Sequence, residues 1–156
     1  MKNTPQAQAQ AQAYAQAYAL VIYNKAMKAG QVAMAECMPI PMVVEQHANI
    51  FNDSSPVTEQ WHVSEGICGF AWVNIKAKSG PSRRFINELK LLNIVSSNIN
   101  DSRDTVTIKK DSYYGGFTFW VYDGGHSYDR KRAFAYAFTK VLKEYDIVAH
   151  VGSRLD

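Results

Sequence analysis

A chain of 156 residues with 47% hydrophobic and 20% charged residues has the length and apolar content for one globular domain that buries a core without covalent staples. No apolar run approaches the roughly 18 residues of a membrane span, and the start is Gln and Ala rather than Leu-rich, so neither a span nor a secretory leader is expected. Cys37 and Cys68 are too few for a disulfide framework and are expected to be reduced, and a net charge of +3 is mildly basic and by itself decides nothing about a nucleic-acid partner.

The first segment, MKNTPQAQAQAQAYAQAYA, alternates Ala with polar residues, yet Ala and Gln favour helices and are not strand formers. Thr4 followed by Pro5 suits an N-cap and first helical position. Tyr14, Tyr18, Val21 and Ile22 then share one helical face. The spacing predicts a helix from Pro5 to Ala29, extending toward Glu36 past Gly30, whose first turns are exposed or packed on a partner. Residues 1–38 thus form an N-terminal helical arm and 39–156 a single domain.

Pro39 and Pro41 force extended backbone, Met42–Val44 suggests a short strand, and the polar residues 47–60 read as a loop. Trp61–Val63 is a brief strand before Gly66. Cys68–Ile75 is apolar nearly throughout, as in a central strand buried on both faces. Ser82 caps a helix whose stripe is Phe85, Ile86, Leu89 and Leu92. Asn93–Asp104 is a polar connection. Thr105–Lys109 and Gly116–Tyr122 form a hairpin through Lys110–Ser112. Phe134, Ala137, Phe138, Val141, Leu142 and Tyr145 make the continuous stripe of a last helix, and Ile147–Val151 is a last strand before GSRLD.

From Cys68 the order is β-α-β-β-α-β. This is an α+β pattern compatible with a ferredoxin-like split βαβ: an antiparallel sheet with helices on one face, preceded by the Gln/Ala-rich helix. Two segments echo each other. Gly69-Phe70-Ala71-Trp72-Val73 precedes Ser82, Arg83 and Arg84, and Gly116-Phe117-Thr118-Phe119-Trp120-Val121 precedes Ser127 and Arg130–Arg132.

Cations in the first turn of a helix oppose its macrodipole, which prefers acids there by roughly 0.3–1 kcal/mol per charge. Arg130, Lys131 and Arg132 nonetheless begin the last helix, with Asp129 as a partial offset. A bound phosphate or carboxylate would accept from free backbone N–H groups and arginine forks together. The candidate anion site is therefore Gly124, Gly125, Ser127, Arg130, Lys131, Arg132 and Arg154, with Arg83 and Arg84 as a second basic site. The alternative is that these cations face solvent. GFTFWVY also resembles the RNA-recognition strand that stacks bases on alternating aromatics, with Gly115 in place of a cation and Trp120 in place of a small aliphatic residue.

His47, His62, His126 and His150 lack zinc spacing, and the cysteines form no C-x-x-C pair. His126 beside Asp123 and Asp129 is the sole acid–base grouping. Phosphate-loop and nucleophile-elbow motifs are absent. The expectation is binding of a nucleotide or other phosphate-bearing ligand at the start of the last helix, ahead of single-stranded nucleic acid, without catalysis, cofactor or metal, and without a membrane.

The segments PMVVEQHAN (41–49), SSPVTEQWHVSEGICGFAWVNIK (54–76), DRKRAFAYAFTKVL (129–142) and GSRLD (152–156) resemble a family of small proteins encoded by tailed bacteriophages. The resemblance covers most of residues 39–156. It implies a viral origin and a host-cytoplasm setting, but no established activity. A phage setting adds a virion component, or an inhibitor of a host defence protein, to the partners considered. Self-association is expected through the N-terminal helix, where Tyr14 and Tyr18 lie on an Ala-rich face.

Overall fold

Thr4 accepts a hydrogen bond from the Ala7 N–H at 3.2 Å, and Pro5 occupies the first helical turn, so α1 starts where the sequence predicts. In this computed structural model, which describes residues 4–156, α1 spans Pro5–Glu36 and runs unbroken through Gly30. Ala19, Ile22, Tyr23, Ala26 and Gly30 are its buried residues, an i, i+3, i+4, i+7, i+11 stripe along one face. Earlier turns are mostly exposed, though Gln12 donates to Glu88 at 2.8 Å and the Tyr18 ring packs edge-on against Tyr145 at 6.1 Å.

Gly30 lets α1 lie close against α3: a Cβ there would sit 2.8 Å from three ring atoms of Phe134, itself 1% exposed. Alanine normally favours a helix interior over glycine by about 1 kcal/mol. At this position overpacking wins, and Gly30→Ala is expected to destabilise by about 1–3 kcal/mol in urea melts.

β1 (Met42–His47) and β2 (Val57–Val63) form a separate two-stranded antiparallel ribbon with a bulge between Gln46 and His47. The loop expected over 47–60 is therefore only the tip. Its second half pairs with β1, because Glu59 and Gln60 sit opposite Gln46 and Glu45 on a ribbon that has little burial to signal it.

β3 (Gly69–Ile75), β4 (Val95–Ser96), β5 (Ile108–Lys110), β6 (Phe117–Trp120) and β7 (Ala149–Leu155) form a five-stranded sheet in the order β4-β5-β6-β3-β7. The sheet is mixed rather than wholly antiparallel, since β4 runs parallel to β5. β4 lies inside the stretch expected to be a polar connection; Val95 supplies a buried apolar anchor there. β7 reaches Leu155, so the GSRL segment pairs with β3 instead of trailing.

α2 (Gly80–Leu91) begins one turn earlier than expected. Ser79 is its N-cap, and Ser82 is buried, with its hydroxyl bonded to Ser79 and to the Val148 N–H at 2.8 Å. α3 (Tyr128–Glu144) is capped by Ser127. Ala71, Val73 and Ile75 of β3 join Phe119, Phe85, Ile86, Leu89, Phe134, Phe138 and Leu142, with the α1 stripe, in one core. The structure is thus α+β with three helices and two sheets. Among the described residues no helix is long and apolar enough to cross a membrane.

Candidate functional site

The three cations that open α3 go to three different places. Arg130 turns away from its own helix start: Nε donates to Glu65 at 2.6 Å, and Nη1 donates to the carbonyls of Met34 at 3.0 Å and Cys37 at 3.2 Å. Those carbonyls are the C-terminal end of α1, where a cation complements the macrodipole. A residue that opposes one dipole by its place in the sequence therefore satisfies another by its place in the fold. The Arg130 partnership holds the Glu65 carboxyl below its usual range, against a smaller upward push from burial. Lys131 is buried, with its ammonium 5.4 Å from the Phe70 ring centre. Arg132 lies between the rings of Tyr128 and Tyr136, at 5.1 and 5.4 Å, and donates to the Tyr136 hydroxyl.

Part of the backbone of this loop is also committed. Gly124 and Gly125 have positive φ values of 90° and 61°, which glycine adopts without strain. The Ser127 hydroxyl accepts from the Arg130 N–H at 3.3 Å, and the Tyr128 N–H donates to the Ile67 carbonyl at 3.0 Å. In the second basic segment, Arg83 donates to the Lys78 carbonyl at 3.2 Å, while Arg84 lines a separate cavity with Tyr14, Tyr18 and Tyr145. Of the residues grouped from sequence, Gly124, Ser127, Arg130 and Lys131 adjoin one another at the start of α3, and Arg154 meets Lys131 only through Phe70, whose ring centre lies 5.1 Å from the Arg154 guanidinium.

Arg154 leads to a different surface. Side chains alternate across a strand, and residues directly opposite share a face. Ala71, Val73 and Ile75 face the core, so Phe70, Trp72 and Asn74 face away, opposite Arg154, Gly152 and His150 of β7. On β6, Thr118 and Trp120 face the same way, opposite Asn74 and Trp72. The two tryptophans of the echoed segments thus meet at 4.8 Å between ring centres, and Tyr114 stacks on Trp72 at 5.9 Å and 27°. Gly152 provides the room: a Cβ there would lie 2.2 Å from the Trp72 indole.

A groove of about 600 Å³ runs over this stack, lined by strands and loops with no helical residue. Tyr113 and Tyr122 stand at its edges, 85% and 84% exposed, and Lys109, Lys110 and Arg154 supply its cations. None of those three forms an ion pair among the described residues.

A polar chain fixes the loop that carries Tyr113 and Tyr114. Asn74 Nδ2 donates to the Gly115 carbonyl at 2.8 Å and to Thr118 Oγ1 at 3.0 Å, and Thr118 donates to Asp111 Oδ2 at 2.6 Å. Asp111 Oδ1 accepts the N–H groups of Tyr113 and Tyr114 at 2.8 and 2.9 Å. The Lys76 ammonium donates to the Tyr114 carbonyl. Gly115 and Gly116 close the loop at φ 73° and 64°, and a Cβ on Gly116 would meet the Ile75 carbonyl oxygen at 2.4 Å.

Burial pushes the Asp111 carboxyl up, but the Thr118 hydroxyl, the two N–H donors and Lys76 together hold it below its usual value. A depressed folded-state pKa gives stability that is complete above the unfolded value near 4 and is lost as pH falls through the folded one. Asp111→Asn is accordingly expected to lower the melting temperature at pH 7, and its deficit to close as wild type and variant are melted at pH values descending below about 4.

The sequence does carry a signal for this surface. Phe117-Thr118-Phe119-Trp120 alternates, so Phe119 and Trp120 face opposite sides of the sheet, and an aromatic run is not all core. Among the described residues, no three His, Cys, Asp or Glu side chains gather as a metal site. No protein family, curated protein or solved structure matches the chain.

Proposed function

We propose that the chain is a non-enzymatic binding protein that holds nucleotides of a single strand across the open face of its five-stranded sheet. The observation that carries this is the Trp72–Trp120–Tyr114 stack, on the face turned away from the helices, beside Lys109, Lys110 and Arg154. Stacked rings offer π-faces to bases, and flexible cations accept backbone phosphates without reading sequence. Trp120, Tyr113 and Tyr122 are the exposed or half-exposed rings on which bases would stack, with Trp72 as their floor. Asp111, the carboxylate on the lining, has both oxygens occupied by protein donors.

We further infer a ferredoxin-like split βαβ core made of β3, α2, β5, β6, α3 and β7, with α1, β4 and the ribbon added. What supports it is the order β5-β6-β3-β7, with every neighbouring pair antiparallel. RNA-recognition modules of four-stranded sheets carry their base-stacking aromatics on the sheet surface. In the phage setting that the sequence resemblance implies, the ligand would be a transcript or a displaced DNA strand in the host cytoplasm.

Fluorescence anisotropy with labelled single-stranded and duplex oligonucleotides tests the reading. Binding is expected to favour the single strand. Its logarithm should fall with log salt at a slope of about −2, if three phosphates are neutralised at about −0.7 each. Equal affinity for duplex, or no binding at low salt, would contradict it.

A further inference from the structure

Between the end of α1 and β3 the chain leaves the domain as an arm. Its root is fixed. Ile40 N–H donates to Asp129 Oδ2 at 3.0 Å, and Arg130 joins Glu65 to the last carbonyls of α1. Beyond the root, β1 and β2 pair only with each other, so both edges of the ribbon are open. Natural proteins guard open edges with lysines, prolines and bulges. Here one bulge and the bracketing Pro41 and Pro56 stand guard, with no lysine. An isolated two-stranded ribbon is marginal in water.

The arm also presents apolar surface outward. Val44 sits opposite Trp61, which is 46% exposed, and the tip carries Ile50 and Phe51 at 77% and 91% exposure. Its charge is one-sided. Residues 37–67 contain Glu45, Asp53, Glu59 and Glu65 and no Lys or Arg, whereas the rest of the chain sets all 17 Lys and Arg against the other ten acids. An acidic arm with apolar side chains matches the basic, aromatic sheet face of the same protein in both respects.

We propose that the arm of one copy docks on the open sheet face of a second copy, with Phe51 and Trp61 against its exposed rings and Asp53 and Glu59 beside Lys109, Lys110 and Arg154. The contact is heterologous: the arm of the second copy stays free to reach a third, giving a ring or an open filament. It does not require that the face bind nucleic acid. The assembly is measured with none present, so its outcome is separate from that of the oligonucleotide titration.

Sedimentation velocity on the full chain is the test. A mass rising with concentration above the 17.5 kDa monomer, and returning to it in high salt, is the expected result. Two variants divide the contact: Ile50→Ser with Phe51→Ser on the tip, and Lys109→Glu with Arg154→Glu on the face. Each alone is expected to be folded by circular dichroism and to associate at least tenfold more weakly. Mixed together they should form a one-to-one pair, since the intact arm of the face variant meets the intact face of the tip variant. A wild-type chain that stays monomeric would overturn the proposal. So would association that survives both variants, as contacts through α1 would, or a mixture that fails to pair.

Discussion

Replacing Phe138 with alanine is expected to cost about 3–5 kcal/mol of folding stability. Its ring is fully buried where three elements converge: it stacks on Phe119 of β6 at 5.0 Å and 13°, lies 6.1 Å from Phe134 one turn earlier in α3, and receives Tyr23 of α1 edge-on at 6.4 Å. Sheet, last helix and first helix are therefore joined through one side chain. No single neighbour can relax into the space without abandoning another ring contact, so a cavity persists and the cost sits toward the upper end of the range. Stability of a domain totals about 5–15 kcal/mol, and each kcal/mol moves the melting temperature of a chain this long by roughly 2–4 °C. Urea and thermal melts of Phe138→Ala, beside the milder Phe138→Leu, measure it. A loss below about 1 kcal/mol would mean the helices do not pack on the sheet as described.

Trp120→Ala is expected to weaken single-strand binding roughly 5- to 150-fold, the equivalent of losing about 1–3 kcal/mol of stacking for one base. Trp120 is half-buried and faces the groove, so the same change removes its stack on Trp72 but leaves the core on the other side of the sheet intact. Affinity measured at equal folded fraction separates the two consequences. Arg154→Ala should instead lower affinity and reduce the salt slope by about 0.7, as expected of a phosphate contact. If Trp120→Ala and Arg154→Ala gave the same change in slope and affinity, stacking would not be a distinct contribution.

The elements that announced themselves in the sequence are those whose signals are local. Thr4–Pro5 starts α1 because an N-cap and a proline act within one turn, and the stripe from Phe134 to Tyr145 specifies α3 because its partners all lie on one face. β3 was legible because nearly all of its residues are buried, on the core side by the helices and on the open face beneath Trp120 and Tyr114. Three features escaped for physical reasons. The first half of β2, residues 57–60 before the expected Trp61–Val63 strand, is exposed and held by β1 rather than by burial, so its composition resembles a loop. β7 extends through Gly152, Ser153 and Arg154, poor strand formers, because β3 supplies the ladder. The cap of α2 moved from Ser82 to Ser79 because Ser82 is drawn inside to satisfy the Val148 N–H.

The candidate site was legible only in part. Arg154 was singled out, but its companions on the sheet face depend on strand register. Trp72, Trp120 and Gly152 become neighbours only when β3 lies between β6 and β7. The cations opening α3 drew attention because they break a local rule, and for Arg130 the compensation is distant in sequence: Glu65, Met34 and Cys37. An exception to a local preference can mark a tertiary clasp as readily as a ligand. In this fold the clasp roots the acidic arm.

The central claim is that bases lie on the sheet face, and photo-crosslinking with an oligonucleotide carrying a single 4-thiothymine, followed by mass spectrometry of the adducts, tests it most directly. Adducts are predicted on the peptides holding Tyr113, Trp120 and Tyr122, and they should disappear when unlabelled single strand competes. Adducts concentrated at the start of α3 around Arg130–Arg132, on the ribbon, or nowhere would contradict the account.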